Sequence, residues 1–130
     1  MITAIIQVRT GSTRLPKKIC LELMGKPVLW HFLERVKAAK LIEKILIATT
    51  TSPEDQVIVN FANEHGIEFF RGSENDVLER FYQTAKKFNV DIIVRVTPDC
   101  PLIDPHIIDK VIKYFSINTF DYATNTLPFT

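Results

Sequence analysis

The sequence has little cysteine and no excess of charge of one sign. Its 130 residues include 16 Lys and Arg against 15 Asp and Glu, which gives a net charge of +1. General nucleic-acid binders and membrane-surface proteins need a basic excess, so the composition argues against both classes, and any affinity for anions has to be local. The two cysteines, Cys20 and Cys100, lie far apart without CxxC spacing, which indicates neither a disulfide framework nor a zinc site.

Long hydrophobic runs are missing as well. No apolar stretch reaches the length of a membrane span, and the first residues, MITAIIQVRT, are too few and lack the basic flank of a signal peptide. There is no internal repeat or interdomain linker, and the length fits a single domain. We therefore expect one cytoplasmic domain, residues 1–130, that contacts neither nucleic acid nor membrane.

What the sequence does contain is a regular alternation of two kinds of segment. Four apolar runs rich in β-branched residues are predicted as strands: Thr3–Val8, Lys44–Thr49, Ile67–Phe70 and Asp91–Val96. Segments of helical period follow the strands and begin near Pro27, Pro53, Val77 and Asp104. The order βαβαβαβα predicts an α/β fold with a doubly wound, mainly parallel sheet. A possible short strand at Asp121–Thr124 is followed by no closing element, so we expect the C-terminal part of the domain to be missing.

Polar residues near the helix starts indicate how the helices are capped. Ser52 is the expected N-cap of the second helix, with Asp55 in its first turn. Ser73 with Asp76 resembles a capping box ahead of the third helix, and Asp104 is the expected N-cap of the last one.

Open α/β sheets bind their ligands outside the carboxyl ends of the strands. In this sequence that rule selects the segments 9–18, 49–52, 71–76 and 97–104, where polar and charged residues are concentrated. Arg95 is an exception, because it lies inside an otherwise apolar strand.

The segment VRTGSTRLPKKI, at the end of the first predicted strand, has the properties of an anion-binding loop. Gly11 and Ser12 allow the backbone to turn and to present N–H groups to a phosphate. Arg9 and Arg14 can donate paired hydrogen bonds to phosphate oxygens, and Lys18 adds a mobile charge. Neither GxxxxGK[ST] nor GxGxxG is present, and a solvated surface loop is the alternative interpretation.

Two further segments contain candidate residues. In TPDCPLIDP, Asp99 follows a strand and could hold Mg²⁺, which keeps most of its waters; a turn-forming aspartate is the alternative. In RGSENDVLERF, Gly72 is expected to form a turn. Asp76 and Arg80 lie one helical turn apart, which either an ion pair or a function explains.

Five pieces of the sequence, in order, resemble the cytidylyltransferase family. They are IIQVRTGSTRLPKKI, MGKPVLWHFLERV, ILIATTTSPED, FFRGSENDVLERF and IVRVTPDCPLIDP. The family includes the CMP-KDO and CMP-sialate synthetases, and the sequence is most similar to its SpsF-type branch of spore coat polysaccharide biosynthesis.

The resemblance implies a Rossmann-like nucleotide-diphospho-sugar transferase fold that binds CTP and Mg²⁺ and transfers CMP to a sugar acid, releasing pyrophosphate. It implies that Arg14 and Lys18 are catalytic, that Asp99 binds the metal, and that the protein is a possible homodimer. The nucleotide-binding residues that it implies are Arg9, Gly11, Ser12, Arg14, Lys18, Gly72, Asp76 and Arg80.

Two positions depart from the family pattern, since Lys17 and Pro98 stand where Gly is usual. The family is also normally longer, and its further length supplies a second metal-binding aspartate. The alternatives are therefore a nucleotide-binding module without turnover and a glycosyltransferase of similar fold.

Overall fold

A four-stranded parallel sheet forms the centre of the computed structural model, which describes residues 2–10, 22–96 and 104–117. In chain order its elements are the strands β1 (Ile2–Gln7), β2 (Glu22–Leu23) and β3 (Lys26–Pro27), helix α1 (Val28–Lys37), strand β4 (Lys44–Thr50), a 3₁₀ turn (Pro53–Asp55), helix α2 (Gln56–Glu64), strand β5 (Glu68–Gly72), helix α3 (Val77–Lys87), strand β6 (Ile92–Val96) and helix α4 (Pro105–Ile117). The strand order β5-β4-β1-β6 confirms the predicted α/β fold with a parallel sheet.

β1 lies in the middle of the sheet, because it pairs with β4 on one edge and with β6 on the other. Alternate residues of a strand point to opposite faces, and both faces are covered here. Ala4 and Ile6 pack with residues of α1 and α2, whereas Ile5 packs with residues of α3. Burial on both faces is why β1 is apolar at consecutive positions.

Helix α4 lies beside α1, on the face of the sheet that α2 also covers. Ile108 and Ile112 are buried in a cluster with residues that follow α1. Asp109 accepts hydrogen bonds from the backbone N–H groups of Lys40 (2.9 Å) and Leu41 (2.8 Å), which attaches α4 to the loop before β4. Among the described elements, α3 covers the opposite face.

The end of β5 and the start of α3 differ from the prediction. β5 continues to Gly72, so this glycine belongs to a strand and does not form the expected turn. The N-cap of α3 is Asp76, whose carboxylate accepts a hydrogen bond from the backbone N–H of Glu79 (2.9 Å). Ser73 lies before the helix, and its Oγ accepts from the N–H of Asp76 (3.0 Å), which is one of the two hydrogen bonds of the predicted capping box. The prediction is wrong about the N-cap of α3, which is Asp76 and not Ser73.

The other predicted caps have different outcomes. Asp104 caps α4 as expected, because its carboxylate accepts from the backbone N–H of His106 (2.8 Å). Ser52 stands at the N-cap position of the 3₁₀ turn, but its side chain makes no capping hydrogen bond.

Sequence periodicity does not predict the antiparallel hairpin of β2 and β3, since each strand has two residues. Met24 and Gly25 in its turn have positive φ angles (54° and 82°), which a two-residue hairpin turn requires. The strand expected at Asp121–Thr124 lies outside the described residues.

Candidate functional site

The carboxyl ends of β1, β4 and β5 lie side by side at one edge of the sheet. The chain runs outward from β1 through β4 to β5, and β6 then pairs with the other side of β1, so the strand order reverses between β1 and β6. Ligands of parallel α/β sheets bind outside the carboxyl ends of the strands at such a reversal. We call the residues that gather there, 8–10, 49–55 and 71–76, the carboxyl edge.

A buried carboxylate joins two of the strand ends. Asp55 is 1% exposed, and its Oδ1 accepts hydrogen bonds from the backbone N–H (2.7 Å) and the hydroxyl (2.8 Å) of Thr10. Its Oδ2 accepts from the hydroxyl of Thr50. Asp55 was expected only as an acid in the first turn of a helix, whereas it ties the end of β1 to the end of β4.

The guanidinium of Arg71 holds the loop that follows β4. It donates to the carbonyl oxygens of Thr50 (2.8 Å) and Ser52 (2.8 Å) and to the side-chain oxygen of Gln56 (3.1 Å). Since three of its donors are used inside the protein, Arg71 is a structural residue of the carboxyl edge.

The side chain of Arg80, on α3, is completely buried at 0% exposure. Its Nη1 donates to the carbonyl oxygen of Ser73 (3.1 Å). Its Nε and Nη2 have no hydrogen-bond partner among the described residues. These two groups share one edge of the guanidinium, which is the edge that can bind two oxygens of a carboxylate or phosphate.

The charges around Arg80 act in both directions. Burial lowers the pKa of Arg80, and the positive charge of Arg9 lowers it further. The carboxylates of Asp55 and Glu74 raise it, although they do not reverse the shift. The structure therefore brings two of the predicted site residues, Arg9 and Arg80, into electrostatic contact.

Gly72 lies directly against the side chains of Phe70 and Arg80. A Cβ atom at this position would lie 3.0 Å from Cε2 of Phe70 and 3.1 Å from Cγ of Arg80, closer than side chains normally approach. The role that the structure supports for Gly72 is the close packing of α3 on β5.

Asp76 and Arg80 do not form the ion pair that their spacing allows. Asp76 is exposed and uses its carboxylate to cap α3, whereas Arg80 is buried and donates to a backbone carbonyl. The ion-pair explanation for this spacing is therefore wrong.

The remaining predicted site residues lie outside the described part of the chain. They are Gly11, Ser12, Arg14, Lys18 and Asp99. In residues 2–10, 22–96 and 104–117, no group of three or more His, Cys, Asp and Glu side chains is arranged to hold a metal ion. Likewise, no helix in these ranges is long and apolar enough to cross a membrane.

Comparison with known proteins gives one family over almost the whole chain. A family model described as "Cytidylyltransferase" matches residues 3–128. The chain is 46% identical over 123 residues to an uncharacterised protein of Methanocaldococcus jannaschii, covering 95% of this chain and 51% of that protein. It is 34% identical over 126 residues to the spore coat polysaccharide biosynthesis protein SpsF of Bacillus subtilis, covering 94% and 52%.

Solved structures show the same fold. A cytidylyltransferase from Leptospira borgpetersenii superposes with a TM-score of 0.86 at 42% identity, covering 91% of this chain and 50% of the other. CMP:2-keto-3-deoxy-manno-octonic acid synthetase complexed with CTP superposes with a TM-score of 0.75 at 24% identity, covering 90% and 48%. The chain thus spans about half the length of the proteins that it matches.

Proposed function

The chain belongs to the cytidylyltransferase family, and from this premise we propose that its carboxyl edge binds the triphosphate of CTP for transfer of CMP to a sugar acid. The prediction of the cytidylyltransferase family from the five sequence pieces is confirmed. The CTP complex of the structurally similar synthetase supports the choice of nucleotide.

The buried Arg80 is the observation that most supports anion binding. A buried N–H group without a partner is unfavourable, and two such groups lie on one edge of this guanidinium. Arg9, whose charge lowers the pKa of Arg80, is the first residue of the basic segment 9–18. A phosphate oxygen would accept from both unpartnered donors and reduce the repulsion between the two cations.

We assign the triphosphate to the basic segment that begins at the end of β1. Its proposed contacts are Arg9, Gly11, Ser12, Arg14 and Lys18. Backbone N–H groups next to Gly11 and Ser12 would bind phosphate oxygens, and Arg14 and Lys18 would neutralise charge on the leaving group.

The reaction is an in-line displacement at phosphorus. A hydroxyl oxygen of the sugar acid forms a bond to the α-phosphorus, the bond from that phosphorus to the bridging oxygen breaks, and pyrophosphate leaves while the hydroxyl proton is lost. No nucleophilic side chain is needed, because the protein contributes positioning and charge neutralisation.

Asp99 is the proposed ligand of Mg²⁺. In the sequence it comes three positions after Val96, the last residue of β6. Val96 itself pairs with Ile6 of β1. A single carboxylate suits Mg²⁺, which keeps several waters and binds phosphate oxygens, and the ion when bound neutralises phosphate charge.

Gly72, Asp76 and Arg80 complete the proposed nucleotide site. Gly72 acts through the close approach of Arg80, and Asp76 is exposed where α3 begins, so a hydroxyl of the nucleotide or sugar can reach its carboxylate. We further propose that the CMP-sugar product is used to make a surface polysaccharide of the spore coat type, which the similarity to SpsF supports. The cytoplasmic location and the homodimer stay predictions.

Because the chain spans about half the length of its relatives, a nucleotide-binding module without turnover is the second candidate. The two are separated by titrating the 130-residue chain with CTP, ATP, GTP and UTP in a calorimeter and measuring pyrophosphate release with Mg²⁺ and a panel of sugar acids. Binding with release supports the transferase, and binding without release supports the module. If none of the four nucleotides binds, the proposed function is wrong.

A further inference from the structure

We propose that Asp55 is a positioning residue for the triphosphate site, because it fixes the start of the basic segment 9–18 relative to the loop after β4. The inference rests on the proposed function, since it takes that segment to be the phosphate-binding one. No role in the site was expected for Asp55 from its position after Pro53 and Glu54.

The hydrogen bonds of Asp55 point away from its own helix. Asp55 stands at the N-cap position of α2, where an Asp side chain normally accepts from N–H groups of the first helical turn. Asp55 makes no such capping bond, and its two oxygens accept from Thr10 and Thr50 instead. At 1% exposure the carboxylate has lost its contact with water, and these hydrogen-bond donors take the place of its hydration.

Thr10 is the last described residue before the glycine and serine of the basic segment. Its backbone N–H and its hydroxyl both donate to the same oxygen of Asp55, which fixes the backbone as well as the side chain. The direction in which the chain leaves β1 is therefore set by Asp55. A phosphate-binding loop that is fixed before its ligand arrives loses less conformational entropy on binding.

Asp55 also balances the cations of the site. Its negative charge raises the pKa of Arg80, while the nearby positive charge of Arg9 lowers it. The buried carboxylate of Asp55 therefore opposes the effect of Arg9 on Arg80.

The test compares Asp55, which accepts three hydrogen bonds, with Asp109, which accepts two from the loop before β4. That loop lies at the amino end of β4, the opposite end from the carboxyl edge. Asp55→Ala, Asp55→Asn and Asp109→Ala are prepared in the 130-residue chain. CTP affinity is measured at a temperature where denaturant titration shows each variant to be folded. Amide hydrogen exchange is followed by NMR at Thr10 and Leu41.

We expect Asp55→Ala to weaken CTP binding by at least about tenfold, the size expected when hydrogen bonds to a charged group are lost. Asp55→Asn keeps the shape and one acceptor oxygen, so its loss should be smaller. Asp109→Ala should leave CTP affinity within about twofold of the unaltered chain, because the hydrogen bonds that it removes lie before β4, away from the proposed site. Exchange should accelerate at Thr10 in Asp55→Ala and at Leu41 in Asp109→Ala.

Unchanged exchange at Thr10 in Asp55→Ala would overturn the inference, and so would equal losses of CTP affinity in the two alanine variants. If the unaltered chain binds no nucleoside triphosphate, the proposed function fails, and exchange at Thr10 alone then decides whether Asp55 fixes the segment. Should Asp55→Ala not fold, Thr10→Val removes one donor and leaves Asp55 in place. We expect that variant to weaken CTP binding several-fold, and unchanged affinity would contradict the inference.

Discussion

Replacement of the buried Arg80 by methionine distinguishes a residue that serves binding from one that serves stability. Methionine has an unbranched chain of similar length without N–H groups. The substitution removes the hydrogen bond from Nη1 to the carbonyl of Ser73, a loss of about 1.5–3 kcal/mol for a charged donor. It also removes two buried N–H groups that have no partner among the described residues, which relieves about 1–3 kcal/mol for each group.

The relief from removing both unpartnered groups is about 2–6 kcal/mol in total. It is opposed by the lost hydrogen bond and by the loss of a counter-charge for Asp55. We therefore expect Arg80→Met to change the free energy of unfolding by less than about 2 kcal/mol in either direction. CTP affinity should fall at least about tenfold, because the site loses a charge and two donors.

Urea unfolding with linear extrapolation measures the free energy of unfolding, and calorimetry measures CTP affinity. Arg80→Ala is the control, since it removes the same charge but leaves a cavity and should destabilise the protein by about 2–5 kcal/mol. A destabilisation of Arg80→Met by more than about 3 kcal/mol, with unchanged CTP affinity, would show that Arg80 is structural and refute the reasoning.

Three further predictions concern the same edge of the sheet. Arg14→Ala should weaken CTP binding far more than Lys37→Ala, which removes an exposed cation of α1 paired with Glu34; equal losses in calorimetry would contradict the anion-binding loop. Gly72→Ala should destabilise the protein by about 1–3 kcal/mol in thermal or urea unfolding, because the new Cβ would crowd the neighbouring side chains, and an unchanged midpoint would show that α3 can shift. Asp76→Asn should keep the cap of α3 and hence the stability, whereas Asp76→Ala should cost about 0.5–2 kcal/mol. If Asp76 also contacts the nucleotide, both Asp76 variants should bind CTP more weakly, and unchanged affinity in both would leave it as a cap alone.

Much of the fold follows from local pattern, and the reasons are visible in particular residues. The apolar runs of β1 and β4 predict buried parallel strands, because strands covered on both faces have few polar positions. The cap of α4 was predicted correctly because Asp104 and its partner His106 are neighbours in the sequence. By contrast, the β2–β3 hairpin is too short for any periodicity to reveal it.

The site was predicted less completely, because its main contacts join residues distant in the sequence. The partner of Asp55 at the end of β1 lies 45 positions away, and no local pattern connects the two. Arg80 is a charged helix residue one turn from an acid, which favours an exposed ion pair until α3 is packed on β5. Gly72 looks like a turn residue for the same reason, since the side chain it accommodates belongs to another element.

The central position of β1 has a consequence for the order in which the sheet assembles. Thr3 pairs with Lys44 of β4 on one side and with Ile93 of β6 on the other. β6 is therefore much farther from β1 in the sequence than β4 is. Closing the longer loop has the larger entropic penalty, and non-local pairing of this kind slows folding. During refolding, we expect β1 to pair with β4 before it pairs with β6. In pulse-labelled hydrogen exchange, the amides that link β1 to β4 should then be protected before those that link β1 to β6.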